Sequence, residues 1–148
     1  MKRWLTLIGL AVLLQALCGC MGAKHAWSPT PVATPHVRID PQQIFRQKNR
    51  IFVRVTFTNL TSNMLVVDRD AVTLQLYTGQ VLRRSSGSTT RHEPYVIAAH
   101  ASHPVWVDFK DDSILNSTSA RVLWSEAVRD MAGHAIQIPP MQTTALQQ

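Results

Sequence analysis

Four histidines, His92, His100, His103 and His134, fall in polar, turn-forming stretches, with Met131 and Met141 near the last of them. Imidazole and thioether groups bind copper and zinc, so these residues are candidates for a periplasmic-type metal carrier. Spacing limits them. If Tyr95 to Ala98 is extended, His92 and His100 are up to about 26 Å apart. Only His100 and His103, flanking one turn, can converge locally, and two imidazoles leave a site incomplete. Catalytic chemistry has less support. Ser85, Ser86 and Ser88 lie in a polar run with no strand-turn-helix elbow to expose a nucleophile. The carboxylates come as Asp68/Asp70 and Asp111/Asp112, near strand ends, where solvated turns are more common than acid/base pairs. The Asp68-Arg69-Asp70-Ala71 run lacks the further ligands and the Gly of a calcium loop. The expectation is a protein that is not an enzyme.

The two cysteines, Cys18 and Cys20, sit in Leu17-Cys18-Gly19-Cys20, where an apolar N-terminal run gives way to polar sequence. Met1-Lys2-Arg3 is a positive n-region and Trp4 to Leu14 an apolar h-region, too short to span a bilayer, which requires about 20 apolar residues. This tetrapeptide resembles the bacterial lipobox. The resemblance implies cleavage between Gly19 and Cys20, a diacylglycerol thioether on Cys20 and usually an acylated amine. Cleavage would discard Cys18, so neither an intrachain disulfide nor a Cys-x-Cys metal site survives. Several acyl chains, each contributing about 0.8 kcal/mol per buried CH₂, would make the anchor effectively permanent. By the same resemblance, Met21 rather than Asp after the lipidated residue implies an outer-membrane address facing the periplasm. In a single-membrane envelope it implies the outer face of the cytoplasmic membrane. No cofactor other than this covalent lipid is expected.

The chain of 148 residues carries a formal charge of +6; without Lys2 and Arg3 it has 13 basic against 9 acidic residues, or +4. Its cations are not gathered on one face or helix as nucleic-acid binding requires, so no nucleic acid is expected. Arg83, Arg84 and Arg91 lie in or beside a run without apolar residues, RRSSGSTTRHE, as candidates for anionic groups of an envelope. Asn59-Leu60-Thr61 and Asn116-Ser117-Thr118 match a glycosylation pattern but read better as turns.

The elements that must position these residues are strands. With 45% hydrophobic residues the chain can build one core. Ile51, Val53, Val55 and Phe57 alternate with Phe52, Arg54, Thr56 and Thr58. Asn59 to Asn63 is turn chemistry, followed by short strands over Met64 to Val67 and Val72 to Leu76. Thr78-Gly79 predicts a hairpin into Val81-Leu82. Further strands are expected over Tyr95 to Ala98, Val105 to Phe109, Arg121 to Val128 and His134 to Ile138, with Glu126 to Met131 the best, short, helical candidate. The division follows: leader 1–19, lipidated Cys and Pro-rich tether 20–35, β domain 36–140 and a flexible tail 141–148. Trp27 in the tether either touches the membrane interface or folds back. Pro139-Pro140 should end pairing, because neither can donate to a ladder.

The order "strand ending Phe57-Thr58-Asn59, short strand, Tyr77-Thr78-Gly79, polar loop, Tyr95-Val96-Ile97, turn, Val105-x-Val107-x-Phe109" resembles the telokin-like, immunoglobulin-type domains of unknown function on bacterial lipoproteins. The resemblance implies an all-β fold, an antiparallel immunoglobulin-like sandwich of seven or eight strands, and no common catalytic site. The family's Pro-Gly turn is replaced here by Ala98 to Pro104, without Gly. In a two-layer sandwich Phe52, Tyr77 and Trp106, opposite the apolar rows of their strands, face outward. If clustered they would form a surface for an envelope protein partner.

Overall fold

The computed structural model describes residues 25–85, 93–112 and 119–145. Within them the chain is all-β, and its ladders are antiparallel. The strands are β1 (His25–Pro29), β2 (Val32–Ala33), β3 (Val37–Gln47), β4 (Arg50–Asn59), β5 (Leu65–Val67), β6 (Thr73–Leu76), β7 (Val81–Arg83), β8 (Tyr95–Ile97), β9 (Ser102–Lys110), β10 (Ser119–Leu123), β11 (Val128–Asp130) and β12 (Met141–Ala145). No helix among the described residues is long and apolar enough to cross a membrane.

Alternation builds the largest sheet. Along β4, Ile51, Val53, Val55 and Phe57 are all buried, and in the neighbouring β9 they oppose Phe109, Val107, Val105 and His103. Each full burial of such an apolar side chain contributes about 1.5–3 kcal/mol. The strand order is β7-β6-β10-β12-β1-β3-β4-β9, with β2 also on β3. The sheet curls until its two ends meet. Arg84, just past β7, forms an isolated bridge to Phe109 on β9, and the Ser85 amide donates to the Asp108 carbonyl at 3.0 Å. The result is a nearly closed, barrel-like sheet, where the expectation is an immunoglobulin-like sandwich of seven or eight strands. A smaller sheet, β11-β5-β8, turns Leu65, Val67, Ile97 and Val128 into the same apolar cluster.

Several boundaries differ from expectation. Residues 25–33 of the predicted tether are structured as β1 and β2, and Trp27 folds back: it is buried, opposite Ile44 on β3 and Ala145 on β12. The predicted tail 141–148 begins with β12, which fills the gap between β10 and β1; Met141 is fully buried there. Pro139-Pro140 interrupts pairing and the chain then resumes it. The strand expected over Arg121 to Val128 is two strands in different sheets. They are joined at a corner where the Ala127 amide donates to the Trp124 carbonyl, and the buried Trp124 ring tilts against Phe57 at 6.3 Å. Glu126 to Met131 is therefore turn and strand, not helix. Beyond it, the expected strand His134 to Ile138 is reduced to one bridge, Arg129 to Ala135.

Pro41 lies inside β3, at a register irregularity between Pro41 and Gln43. It is tolerated because β2 covers residues 38–39 of that edge and β1 covers 44–46, so the missing N–H falls in the gap between them.

Candidate interaction surface

The predicted aromatic trio separates. Phe52 stacks on Phe45 across the β3–β4 ladder, with centroids 5.0 Å apart and planes at 18°. Trp106, one diagonal step away on β9, lies under the Arg54 guanidinium at 4.4 Å. These rings share the outer face of β3, β4 and β9. Tyr77, 54% exposed, lies beyond β6. Counted through the Arg84–Phe109 bridge, it is eight strand positions, roughly 26 Å, from the level of Trp106.

The arginines separate too. Arg83 is exposed, whereas its neighbour on the strand turns to the opposite side: the Arg84 side chain is only 3% exposed and pairs with the Asp70 carboxylate. Arg91 lies outside the described residues, as do Gly19, Cys20 and His92. Two further cations are drawn inward. Arg46 pairs with the buried Asp111 at 3.4 Å, and Arg69 stacks on the Tyr95 ring at 4.4 Å.

His103 packs on the same Tyr95 ring at 4.5 Å, while His100 is exposed. No group of three or more His, Cys, Asp or Glu side chains that could hold a metal ion occurs among the described residues. His100 has φ of +57° and closes a turn in which the Ala101 amide donates to the Ala98 carbonyl at 3.1 Å. It occupies a left-handed position that glycine ordinarily fills. His134 joins Asp130 at 3.0 Å. Its backbone N–H, and then its ring, hold the Asp130 carboxyl below the usual range. The paired carboxylates have separate partners. Asp111 faces Arg46, while Lys110 and Asn49 bind Asp112 and lower its pKa. Asp68 caps a short 3-10 turn at Arg69–Ala71 by accepting from the Asp70 amide at 2.9 Å. Ser85 is buried at the sheet closure; Ser86 and Ser88 lie outside the described residues.

A different surface emerges on the small sheet. Val96 on β8 and Met131 just after β11 are 59% and 57% exposed, and Leu60 and Met64, in the loop leading into β5, are also exposed. Across the ladder Arg129, Val66 and Val96 form one outward row. One step beyond the Asp130–Leu65 pair, Met131 and Met64 fall at the same level. Apart from Arg129, the outer side of this sheet is thus apolar and carries two exposed methionines, whose flexible thioether suits adaptable contacts.

Asn59 holds the loop in place. It is fully buried, and its amide donates to the carbonyls of Asn63, Ile97 and Ala98 at 2.7, 3.2 and 3.0 Å. Its oxygen accepts from the Thr61 amide and hydroxyl. The expected turn at Asn59 to Asn63 is present, with Asn59 as its internal hub. Alternation-based reading overlooks the apolar surface, yet its signal is visible. Met64-Leu65-Val66-Val67 and Tyr95-Val96-Ile97 are unbroken apolar runs, which leave both faces of a strand apolar.

Two antiparallel sheets around one core define a small all-β domain. No protein-family model and no curated protein matches the sequence. The fold is similar to the crystal structure of the yjhA protein from Bacillus subtilis, with a TM-score of 0.52 and 11% identity over 70% of this chain and 84% of that chain. At that identity the likeness is one of fold.

Proposed function

We propose that this chain is a membrane-anchored lipoprotein, acylated at Cys20, whose immunoglobulin-like domain is a non-catalytic interaction or assembly module of the cell envelope. The observation that carries the module reading is the exposed apolar side chains of Met64, Val96 and Met131 on the outer face of the small sheet, with Leu60 exposed in the loop before β5. A patch of this kind on a folded domain favours a protein partner. Leu17-Cys18-Gly19-Cys20 supports the anchor, and Met21 favours the outer membrane, facing the periplasm, over the cytoplasmic membrane. The Asn59 hub, the Gly79 turn and the Val105-Val107-Phe109 row support the immunoglobulin-like assignment.

The start of β1 adds an orientation to this reading. Only residues 21–24 separate Cys20 from β1, a reach of at most about 18 Å. His25 is level with Arg46 and Ile51, at the end of the sheet that carries the Lys48-Asn49 hairpin. Asn59 and the apolar face lie eight residues further along β4, about 27 Å away. A chain anchored at Cys20 holds the hairpin toward the lipid and turns the apolar face toward the aqueous compartment, where a protein can reach it. Two experiments test the proposal. Fatty-acid probe labelling should disappear in Cys20→Ala; a persisting signal overturns the anchor. Crosslinking in intact cells followed by mass spectrometry should recover a specific envelope protein, and recovery of none counts against the module.

A further inference from the structure

On the outer side of the large sheet, far from the apolar face, lies a half-open groove of about 340 Å³ whose lining includes Gln75, Tyr77, Ser119, Arg121 and Gln142. Its floor is a register row across three adjacent strands: Gln75 on β6, Arg121 on β10 and Gln142 on β12. With strands about 4.8 Å apart, the row is roughly 10 Å wide. Arg121 meets no carboxylate among the described residues, and neither Gln75 nor Gln142 uses its amide within them. The exposed Tyr77 ring stands at one rim, and the Gly79 turn at φ +86° keeps that rim low. The groove is large enough to hold a small ligand.

We propose that this groove binds a carboxylate-bearing saccharide of about two rings, a role that goes beyond the partner-binding reading and does not depend on it. The Arg121 guanidinium, which meets no carboxylate among the described residues, suits one carboxylate, which it can hold in a bidentate pair; phosphate sites ordinarily gather more positive charge. The two primary amides, one on each side, offer donors and acceptors for ring hydroxyls and acetamido groups. Tyr77 supplies an apolar plate for the C–H face of a sugar with a phenolic hydroxyl at its edge. Extended peptides fit poorly, because β6, β10 and β12 are internal strands whose backbone groups are already paired, leaving only side chains for recognition.

The test uses the full chain in a detergent without a sugar headgroup, with backbone amide NMR as the readout. The acidic probe is the disaccharide of N-acetylglucosamine and N-acetylmuramic acid. Its neutral counterpart is diacetylchitobiose, and acetate stands for carboxylate alone. The acidic disaccharide should shift the amides of Gln75, Tyr77, Ser119 and Arg121 and bind about tenfold or more tightly than either control. Arg121→Gln should remove that advantage while leaving the rest of the amide spectrum in place. Absence of shifts in this row with the acidic disaccharide, equal affinity for acetate, or unchanged binding by Arg121→Gln would overturn the proposal. None of these results bears on the anchor or the apolar face.

Discussion

The large and small sheets share one core but treat their outer faces oppositely. In the β3-β4-β9 part of the large sheet, apolar side chains alternate with Arg54, Thr56, Thr58 and Lys110, so one face is buried and the other carries much polar surface. The rings that remain outside are engaged, Phe52 by Phe45 and Trp106 by Arg54. In the small sheet, Leu65, Val67 and Ile97 face the core while Met64, Val66 and Val96 face outward. Strict alternation thus marks a wall of the core, and its failure over a short run marks a surface available to something else.

Removing side chains from the two regions should separate stability from interaction. Phe57→Ala in the large sheet leaves a cavity against Trp124 and should cost about 3–5 kcal/mol in urea unfolding. Val96→Ser, on the outer face of the small sheet, should stay within about 0.5 kcal/mol. A comparable loss from both would erase the distinction between wall and surface.

Asn59 joins the end of β4 to both loops of the small sheet. Asn59→Ala strips three carbonyls of a donor in a buried setting and should cost about 2–3 kcal/mol, with hydrogen-exchange protection falling first around Ile97 and Thr61. Uniform loss across the large sheet instead would show that the hub is not local.

His100→Gly relieves a left-handed non-glycine residue and should raise stability by up to about 1 kcal/mol. The same variant tests the metal reading. If His100 and His103 are ligands, titration with Cu(I), Cu(II) or Zn(II) should show binding tighter than micromolar in the parent chain and loss in the variant.

The smallest effect concerns acid. Lys110 and Asn49 lower the Asp112 pKa, and the His134 backbone and ring lower that of Asp130. Each therefore binds its proton more weakly when folded than unfolded. Their stabilising contribution is present above the ordinary carboxylate range, near pH 4, and is lost as pH falls through the lowered folded values. A double variant, Asp112→Asn with Asp130→Asn, should be slightly less stable than the parent near neutrality and converge with it below the lowered folded values, so that the acid limb of the pH–stability curve is flattened.

Much of this architecture is legible in the sequence where one face is apolar and the other polar: β4, β9 and the β6–β7 hairpin follow from alternation and Gly79. Strands that violate the pattern are not. Thr143 occupies a buried position in β12, so MQTTA reads as a tail. In β3, Pro41 and the irregularity beside it shift the period, and Arg46 stands at a buried position because Asp111 meets it. β1 contributes Trp27 to the core from within proline-rich sequence. The outward positions of Tyr77 and Trp106 are legible, but their separation is not, because it depends on how the sheet closes. The apolar face likewise depends on β5, β8 and β11 forming a separate sheet.

The contrast between the two sheets is tested most directly by placing a photo-crosslinking residue at Val96 and, in parallel, at Thr56 on the outer face of the large sheet, in intact cells. A discrete protein adduct is expected at position 96, lost on Met64→Asp in a chain of unchanged stability, and none at position 56. Equal adducts at both positions, or none at position 96, would contradict it.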